Sequence, residues 1–293
     1  MFNPAELAAC HQLVRLALAE DLGTEGDLTS LAVIPADQAG RAAFTARASG
    51  VVAGPPAAAL VVAAVYPRLT FQPALADGAS VAAGTRLAEM SGPMRALLTA
   101  ERTALNFMQR LSGVATQTRR YVDAIAGLPA RILDTRKTTP GWRLLEKYAV
   151  RCGGGHNHRG GLHDGILIKD NHLACLPVAN KVDAVRRAVE AARSSGFDVP
   201  IEVEVEDLDQ LDAALAAHAE LVLLDNMPLE MMREAVRRRN AAAPTTQLEA
   251  SGGITLATLR SVAETGVDRI SVGALTHSAV ALDIALDYLP APS

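Results

Sequence analysis

The sequence predicts an α/β protein with a small amino-terminal α+β domain followed by an incomplete, six-to-seven-stranded β/α barrel. Short apolar segments recur from about residue 130 and alternate with helical patterns, which is typical of a parallel sheet. About six such units are present, fewer than the eight of a complete barrel. Residues before 112 lack this rhythm. The predicted domains are therefore residues 1–112 and 113–275, and a helix over 276–293 can join the first.

The sequence pattern of the amino-terminal region predicts a mixture of helices and short strands. An amphipathic pattern opens the chain, and a second helical segment runs from about 94 to 111. Residues 57–65 favour a buried helix because the run is long and rich in alanine. Residues 44–48 and 80–82 are predicted as strands, since glycine and proline turns flank them.

The second domain contains the repeated units. Its predicted strands cover residues 130–134, 165–169, 201–206, 221–225, 247–250 and 269–272. Its predicted helices cover residues 182–192, 209–217, 229–239 and 255–265. A doubly wound open sheet is the alternative, although no G-x-G-x-x-G motif opens the first unit.

Composition limits the classes of function. The 293 residues are 49% apolar and carry a net charge of −4, so the overall charge favours neither a nucleic-acid nor a membrane partner. The longest apolar run, residues 57–66, is about half of the ~20 residues that a spanning helix needs. The three cysteines, Cys10, Cys152 and Cys175, form no disulfide or metal motif. These features predict a soluble cytoplasmic protein.

Positive charge is concentrated in one segment. Residues 134–172 contain seven arginines and lysines against four acids, a net charge of +3, so the rest of the chain carries −7. Arg136 and Lys137 follow the first predicted barrel strand and Lys169 ends the second. Because sites in parallel β/α folds form at the carboxyl ends of strands, this segment predicts an anion site. A solvated basic loop is the alternative.

Carboxylates occupy the next strands. Glu202, Glu204 and Glu206 alternate with apolar residues and therefore share one strand face. Buried there, they need lysines, arginines, a metal or sugar hydroxyls as partners, while an edge strand with one wet face is the other interpretation. Asp225 ends an apolar run and is predicted at the same mouth, although an aspartate before Asn226 also suits a turn.

Two consecutive glycine turns follow the last strands. The first contains Ser251, Gly252 and Gly253, and the second contains Ser271, Val272 and Gly273. Glycine turns near helix starts in this part of a barrel are typical of phosphate sites. His156, His158, His163 and His172 also suggest a metal, but no carboxylate spacing completes a zinc set.

Several long motifs, in order, resemble the quinolinate phosphoribosyltransferase family. The most specific are D-T-R-K-T-T-P-G at 134–141, G-G-G-H-N-H-R at 153–159 and I-K-D-N-H at 168–172. Further matches lie at residues 20–23, 26–29, 101–106, 111–113, 202–205, 224–226, 251–253 and 272–276. The resemblance covers nearly the whole chain. It implies an amino-terminal open-faced sandwich domain with an incomplete β/α barrel.

The resemblance implies roles for individual residues. Arg136, His158, Arg159 and Lys169 would grip the two carboxylates of quinolinate, with Thr135 beside them. Arg102 would reach that pocket from a neighbouring subunit, which implies a homodimer or a higher oligomer. Trp142, Gly160 and His163 depart from the family pattern and leave the shape of the loops near quinolinate open.

The remaining implied roles concern phosphoribosyl pyrophosphate (PRPP). Lys137, Glu204 and Asp225 would surround its ribose and pyrophosphate, and the two glycine turns would bind its 5-phosphate. Mg²⁺ would be held mainly by the substrate, near Glu204 and Asp225. Lys137, Lys169, Glu204 and Asp225 are the predicted catalytic residues, in a transfer that releases pyrophosphate and CO₂ and forms nicotinate mononucleotide.

Three other functions stay open. A related phosphoribosyltransferase could use another acceptor, as nicotinate-using relatives and a paralogue associated with molybdenum transport do. A Schiff-base aldolase would use Lys169 as its nucleophile. A non-catalytic sensor of phosphorylated metabolites would bind anions without turnover.

Overall fold

The computed structural model describes residues 1–289. Its helices are α1 (Pro4–Leu22), α2 (Leu28–Val33), α3 (Pro55–Val65), α4 (Met94–Ala124), α5 (Arg143–Cys152), α6 (Asp170–Ala174), α7 (Lys181–Ser194), α8 (Leu208–Ala216), α9 (Leu229–Ala242), α10 (Leu256–Ala263) and α11 (Ala274–His277). Its strands are β1 (Ala39–Ala46), β2 (Gly50–Val51), β3 (Thr70–Pro73), β4 (Ser80–Val81), β5 (Arg86–Pro93), β6 (Arg131–Leu133), β7 (Ile166–Ile168), β8 (Ile201–Val205), β9 (Leu221–Asp225), β10 (Gln247–Ser251), β11 (Arg269–Ser271) and β12 (Ile284–Leu289). No helix over this range combines the length and apolar character needed to cross a bilayer.

The chain forms two compact units. The first comprises Met1–Arg119, Lys137–Gly154 and the segment from Ala274 onward, and the second comprises Arg120–Arg136 and Gly155–Gly273. The first unit contains an antiparallel sheet in the order β12-β1-β5-β3 and a β2-β4 ribbon. The second contains a parallel six-stranded sheet. An α/β fold with a separate antiparallel sheet domain is therefore confirmed.

The antiparallel sheet of the first unit is organised around β1. Phe44 of this strand pairs with Ala88 on one side and Leu286 on the other. Its ring is fully buried and meets Phe71 edge to face, with the ring centroids 5.7 Å apart. In α1, Asn3 and Glu6 form a capping box, so the first turn has its backbone donors satisfied.

Some elements of the first unit differ from the predictions. The buried helix at 57–65 is present within α3, and the two predicted strands correspond to β1 and β4. The predicted helix over 276–293 is replaced by the short α11 and by β12, while residues 290–293 lie outside the described range. The segment becomes a strand because it pairs antiparallel with β1 from Arg41↔Leu289 to Ala46↔Ile284.

The parallel sheet of the second unit has the order β6-β11-β10-β9-β8-β7. Each predicted strand is present, and its ends differ from the prediction by at most one residue. The first strand lies at an edge and pairs with the last, Ile132 facing Ile270. In a doubly wound sheet the first strand lies centrally, so that alternative is wrong. Two of the helices between the strands, α7 and α8, begin at side-chain caps, Asn180 and Asp207.

Candidate functional site

Several candidate site residues of the second unit lie where its strands end. Asp225 and Ser251 are the last residues of β9 and β10, and Lys169 directly follows β7. Glu204 is the fourth of five residues in β8, and Arg136 follows β6. Because all six strands are parallel, these carboxyl ends share one edge of the sheet.

Lys169 and Glu204 form the most direct pair in this group. The Lys169 Nζ lies 2.6 Å from Glu204 Oε2. The Glu204 side chain is 10% exposed and the Lys169 side chain is 45% exposed. The carboxylate is therefore nearly buried, while the ammonium group that it binds still contacts solvent. A charge-assisted hydrogen bond of this kind fixes both groups at the edge of the sheet. Glu204 also borders a cavity of about 370 Å³, whose other walls come largely from α6 and α7.

The ends of β9 and β10 are tied together through Asn226. Its main-chain N–H donates to Ser251 O over 3.0 Å, and its side chain donates to Asp225 Oδ2 over 2.8 Å. Asn226 adopts a left-handed conformation with φ 52°, which asparagine tolerates better than most residues. A Cβ on Gly252 would lie 2.2 Å from Asn226 Oδ1, so only glycine fits there without movement. The Asp225 carboxylate is thus oriented by the turn that follows the neighbouring strand.

The second glycine turn adjoins the first strand of the sheet. Val272 donates its N–H to Leu133 O over 2.9 Å, and Ser271 pairs with Leu133 in the parallel ladder. Ser271 and Val272 are buried, and Gly273 is half-buried. This turn therefore lies beside the segment that leads into Thr135 and Arg136.

His158 is held among buried charged groups. Its Nε2 lies 3.0 Å from Glu202 Oε2 and 3.4 Å from Glu249 Oε1. Arg269 completes the chain, because its Nε donates to Glu249 Oε2 over 2.8 Å. Glu249 is fully buried and Glu202 is 2% exposed. The glutamates on β8 and β10 thus find the cationic partners that their burial requires.

These contacts shift the pKa values of the histidine and of one glutamate. Burial alone would lower the pKa of His158, but its contacts with the carboxylates of Glu202 and Glu249 outweigh burial and raise this pKa to about 9. Burial would raise the pKa of Glu249, but His158 and Arg269 hold it below its usual range. The Arg159 N–H, 2.7 Å from His158 Nδ1, acts against protonation of that nitrogen. Protonation of Nδ1 would place two N–H donors 2.7 Å apart, so the charged ring forms only if this contact opens, and the two buried carboxylates favour that charge.

Asp134 anchors the segment that carries His158. This fully buried carboxylate accepts from the His158 N–H over 2.9 Å and from Asn157 Nδ2 over 2.6 Å. A parallel bridge between Leu133 and His156 places the same segment beside β6. The motif around residues 153–159 is therefore held next to the first strand of the sheet.

Arg159 lines a cavity and is close enough to a second cation, Arg136, to feel its charge. Its Nη1 donates to Gly165 O over 2.9 Å, and burial followed by the charge of Arg136 lowers the pKa of its guanidinium. The cavity of about 180 Å³ is lined by His158 and Arg159 together with Asn157, Asp164, Gly165, Ile166, Pro200, Glu202, Leu221 and Arg269. Ile166, Leu221 and Arg269 are the first residues of their strands, so this cavity lies beside the amino-terminal ends of the sheet. A common mouth for Lys169, Arg136 and Arg159 stays a prediction.

Two predicted site residues belong to the first unit and are described there. Arg102 is exposed on α4. Lys137 is exposed, and its carbonyl oxygen accepts from Thr276 Oγ1 over 2.7 Å.

The structure adds residues that the sequence interpretation did not place in the site. Glu249, Arg269 and Asp134 were not among the predicted site residues, and Glu202 was recognised only as an inward carboxylate. The alternation of glutamate with apolar residues in β8 already indicated that Glu202 faces inward. Residues two apart share a strand face, so Glu249 and Ser251 of β10 also lie on one face. Nothing in the local sequence of Arg269 indicates its partner on the neighbouring strand.

The four clustered histidines do not come together as a metal set. Within residues 1–289, one group of three metal-binding side chains has its ligand atoms within 4.8 Å of one another. It contains His158, Glu202 and Glu249. It includes none of the other clustered histidines.

A parallel sheet with lysine and carboxylates at its carboxyl edge, and arginines nearby, defines an α/β enzyme suited to anionic substrates. Family models describe the same chain. The model of the quinolinate phosphoribosyl transferase C-terminal domain matches residues 114–287, and that of the N-terminal domain matches residues 27–112. The chain belongs to the quinolinate phosphoribosyl transferase family, and it is therefore a phosphoribosyl-transferring enzyme.

Individual relatives agree with this membership. The nicotinate-nucleotide pyrophosphorylase [carboxylating] of Mycobacterium leprae is 47% identical over 291 residues, covering 98% of this chain and 100% of the relative. A probable enzyme of the same name from Bacillus subtilis is 45% identical over 272 residues, covering 92% and 89%. The structure of the nicotinate-nucleotide pyrophosphorylase from Francisella tularensis superposes with a TM-score of 0.88 at 40% identity, covering 96% of each chain.

Proposed function

We propose that this chain transfers the phosphoribosyl group of PRPP to the ring nitrogen of quinolinate and removes the 2-carboxylate. The products are nicotinate mononucleotide, pyrophosphate and CO₂, which places the reaction in NAD biosynthesis. Family membership over nearly the full length supports the reaction. The observation that carries it at the site is the Lys169–Glu204 pair, which offers a cation and a carboxylate at one strand edge.

The parallel sheet is proposed to curl into an incomplete barrel. Its strand order is cyclic, since every strand neighbours the next along the chain except the first and second. His158 follows a segment bridged to β6, yet its ring reaches Glu202 on β8. Four strand spacings, about 19 Å in a flat sheet, separate β6 from β8, so strong curvature supports closure.

Quinolinate is proposed to bind among the cations of the histidine–arginine motif. Arg136, Arg159 and Lys169 would hold its two carboxylates, and Thr135 would lie beside them. Arginine suits this task because its planar guanidinium pairs with a carboxylate through two hydrogen bonds. His158 would contribute its positive charge, since Glu202 and Glu249 already face its Nε2.

PRPP is proposed to bind at the carboxyl edge of the sheet. Glu204 and Asp225 would face the ribose, and Lys137 would face the pyrophosphate. The turns at Ser251–Gly252–Gly253 and Ser271–Val272–Gly273 would take the 5-phosphate, because glycines allow backbone amides to approach an anion closely.

These residues would assist each chemical step. The pyridine nitrogen forms a bond to the anomeric carbon while the bond to pyrophosphate breaks, so positive charge develops on the ribose. Carboxylates near the ring stabilise that charge, and Lys137 stabilises the departing anion. The positive charge of the alkylated pyridinium then stabilises the electron pair that stays on C2 when the bond to CO₂ breaks, and a proton from solvent or a general acid adds at C2 to give nicotinate mononucleotide. Lys169 would orient the carboxylate that leaves without binding it too tightly.

Mg²⁺ is proposed as the cofactor. Glu204 and Asp225 supply the hard oxygen ligands that this ion prefers, and they lie at the ends of neighbouring strands. When bound with PRPP, the ion would neutralise pyrophosphate charge.

The functional assembly is proposed to be a homodimer, or a higher oligomer built from it, in which Arg102 completes the site of the neighbouring subunit. Arg102 is exposed on α4 and thus available to a partner. An arginine donated in this way would add a third guanidinium to the quinolinate pocket.

We propose a cytoplasmic location. Cys10, Cys152 and Cys175 are free, and free thiols persist in a reducing compartment. Burial raises the pKa of Cys152 to about 11, so this thiol resists forming the reactive thiolate.

One assay tests the reaction and its alternatives. Purified protein with PRPP, Mg²⁺ and quinolinate labelled in the 2-carboxylate should release labelled CO₂ and pyrophosphate in equal amounts, and chelation of Mg²⁺ should abolish both. Pyrophosphate release with nicotinate, and none with quinolinate, would point to another acceptor. Tight PRPP binding without turnover would indicate a sensor. The aldolase is disfavoured because Glu204 holds the Lys169 ammonium at 2.6 Å, which opposes nucleophilic attack.

Replacing Gly252 by alanine should raise KM for PRPP by about 10-fold or more, since small misplacements of binding groups carry costs of this size. The new methyl group would displace the Asn226 side chain, which orients Asp225. Gly196→Ala is the matched control: Gly196 also has a positive φ, of 77°, but nothing lies within 4 Å of an added Cβ. Equal KM values for the two variants would remove the proposed role of this turn.

A further inference from the structure

Four charged side chains form a buried chain across the second unit. Arg269 donates to Glu249, Glu249 lies 3.4 Å from His158, and His158 lies 3.0 Å from Glu202. The exposed fractions are 18% for Arg269, 0% for Glu249 and 10% for His158. Arg269 pairs with Glu249, and a protonated imidazole would pair directly with Glu202.

We propose that Glu202 and Glu249, with Arg269 behind Glu249, are positioning residues that hold the His158 imidazole in place and keep it positively charged. The proposal rests on the proposed function, because the charge of His158 would strengthen the binding of the quinolinate carboxylates. Nε2 bears a proton both in the charged imidazolium and in the neutral tautomer that is protonated on Nε2. In both forms this N–H points at the carboxylates. The carboxylates therefore fix the ring in either state and favour the charged one.

Unsatisfied polar atoms support an electrostatic role. Glu202 Oε1 and Glu249 Oε1 are buried and make no hydrogen bond within the described residues. Such atoms are costly unless a nearby charge compensates them. An imidazolium between the two carboxylates supplies that compensation, so the cluster resists losing its proton.

Other charged groups also face this histidine. Its Nδ1 accepts from the Arg159 N–H over 2.7 Å, a contact that must open when this nitrogen is protonated, and the main-chain N–H of His158 donates to Asp134. The charges that act on Arg159, the neighbour of His158, are those of Arg136, Glu202 and Asp164. Neutralising Glu249 leaves all of these in place, so its effect on the ring can be measured separately.

A divalent cation is the other occupant that the donor atoms allow. Arg269 already occupies one oxygen of Glu249, and Arg159 adds a further positive charge beside Glu202. An ion there would add two positive charges to a cluster that a proton already balances. The proton is therefore the occupant that the observations favour.

The Glu249→Gln variant tests the proposal, because glutamine keeps the shape and removes the charge. NMR of the imidazole nitrogens, with the His158 signal assigned by its loss in His158→Asn, should show the pKa of His158 falling by about one to two units. KM for quinolinate should rise by about 10-fold at pH 8 and less at pH 6, while KM for PRPP stays within about twofold. A purely structural role would not produce this dependence on pH.

Glu206→Gln is the control, since Glu206 directly follows β8 but pairs with the exposed Lys181. If Glu249→Gln does not fold, Glu202→Gln gives the same measurement through the 3.0 Å contact. An unchanged pKa of His158 in a folded variant, with wild-type turnover intact, would overturn the positioning role and leave the reaction standing. A lowered pKa in a protein that never turns over quinolinate would support the network and reject the proposed function. Stoichiometric binding of Zn²⁺ that displaces the Nε2 proton at pH 7 would also overturn the proposal.

Discussion

Replacing Lys169 by alanine should lower kcat by about 100-fold and also weaken quinolinate binding, because a charged group that acts in the transition state contributes on this scale. The ammonium lies 2.6 Å from Glu204, so its loss removes an orienting cation and leaves a nearly buried carboxylate unpaired. Steady-state kinetics with each substrate varied would measure both effects.

The position of Lys169 explains why kcat should fall. A cation that neutralised the 2-carboxylate of quinolinate completely would oppose loss of CO₂. Glu204 shares the charge of Lys169, which leaves the lysine able to orient a carboxylate without holding it strongly. Lys181→Ala is the matched control, since Lys181 also pairs with one glutamate, Glu206, but at an exposed position. A change confined to KM would reduce Lys169 to a binding residue.

Hybrid dimers of Arg102→Ala and Lys169→Ala chains should recover about half of the wild-type kcat, although each variant alone is nearly inactive. If Arg102 serves the neighbouring site, one site of the hybrid contains both Lys169 and a donated Arg102. The other site lacks both. The two chains can be co-expressed with different affinity tags and the hybrid isolated before assay.

The control pair is Arg159→Ala with Lys169→Ala. Both residues lie in the second unit, so neither site of that hybrid is complete and no recovery should occur. An inactive Arg102→Ala/Lys169→Ala hybrid would show that Arg102 acts in its own subunit or outside the site. Recovery in both hybrids would show that Arg159 and Lys169 also complement each other between subunits, and would overturn a site formed by the second unit of one chain.

The parallel sheet could be predicted closely because its strands are buried on both faces. Leu221–Asp225 is an apolar run with an acidic end, and such runs are typical of parallel strands. The antiparallel sheet was harder to predict. Thr70–Pro73 is largely exposed, and Ile284–Leu289 has no turn residue to separate a helical from an extended interpretation. Ile284–Leu289 forms a strand because it pairs with β1, which lies more than 200 residues earlier in the chain.

Site residues could be predicted only where their position along a strand was sufficient to place them in the site. Lys169 and Glu204 each lie near a strand end, and their contact follows from the parallel arrangement. The contacts of Arg269 with Glu249, and of Glu249 with His158, depend on which inward faces meet across the sheet. That information lies in the register between strands, which no local pattern contains.

The pairing of β6 with β11 has a consequence for synthesis on the ribosome. Ile132 meets Ile270, so 138 residues of chain must be made before the earliest strand gains its neighbour. Until then the nascent polypeptide presents an unpaired apolar edge, which is prone to aggregation. The high contact order of this one ladder makes its formation a late and slow event, so chaperone dependence in the cell should concentrate there.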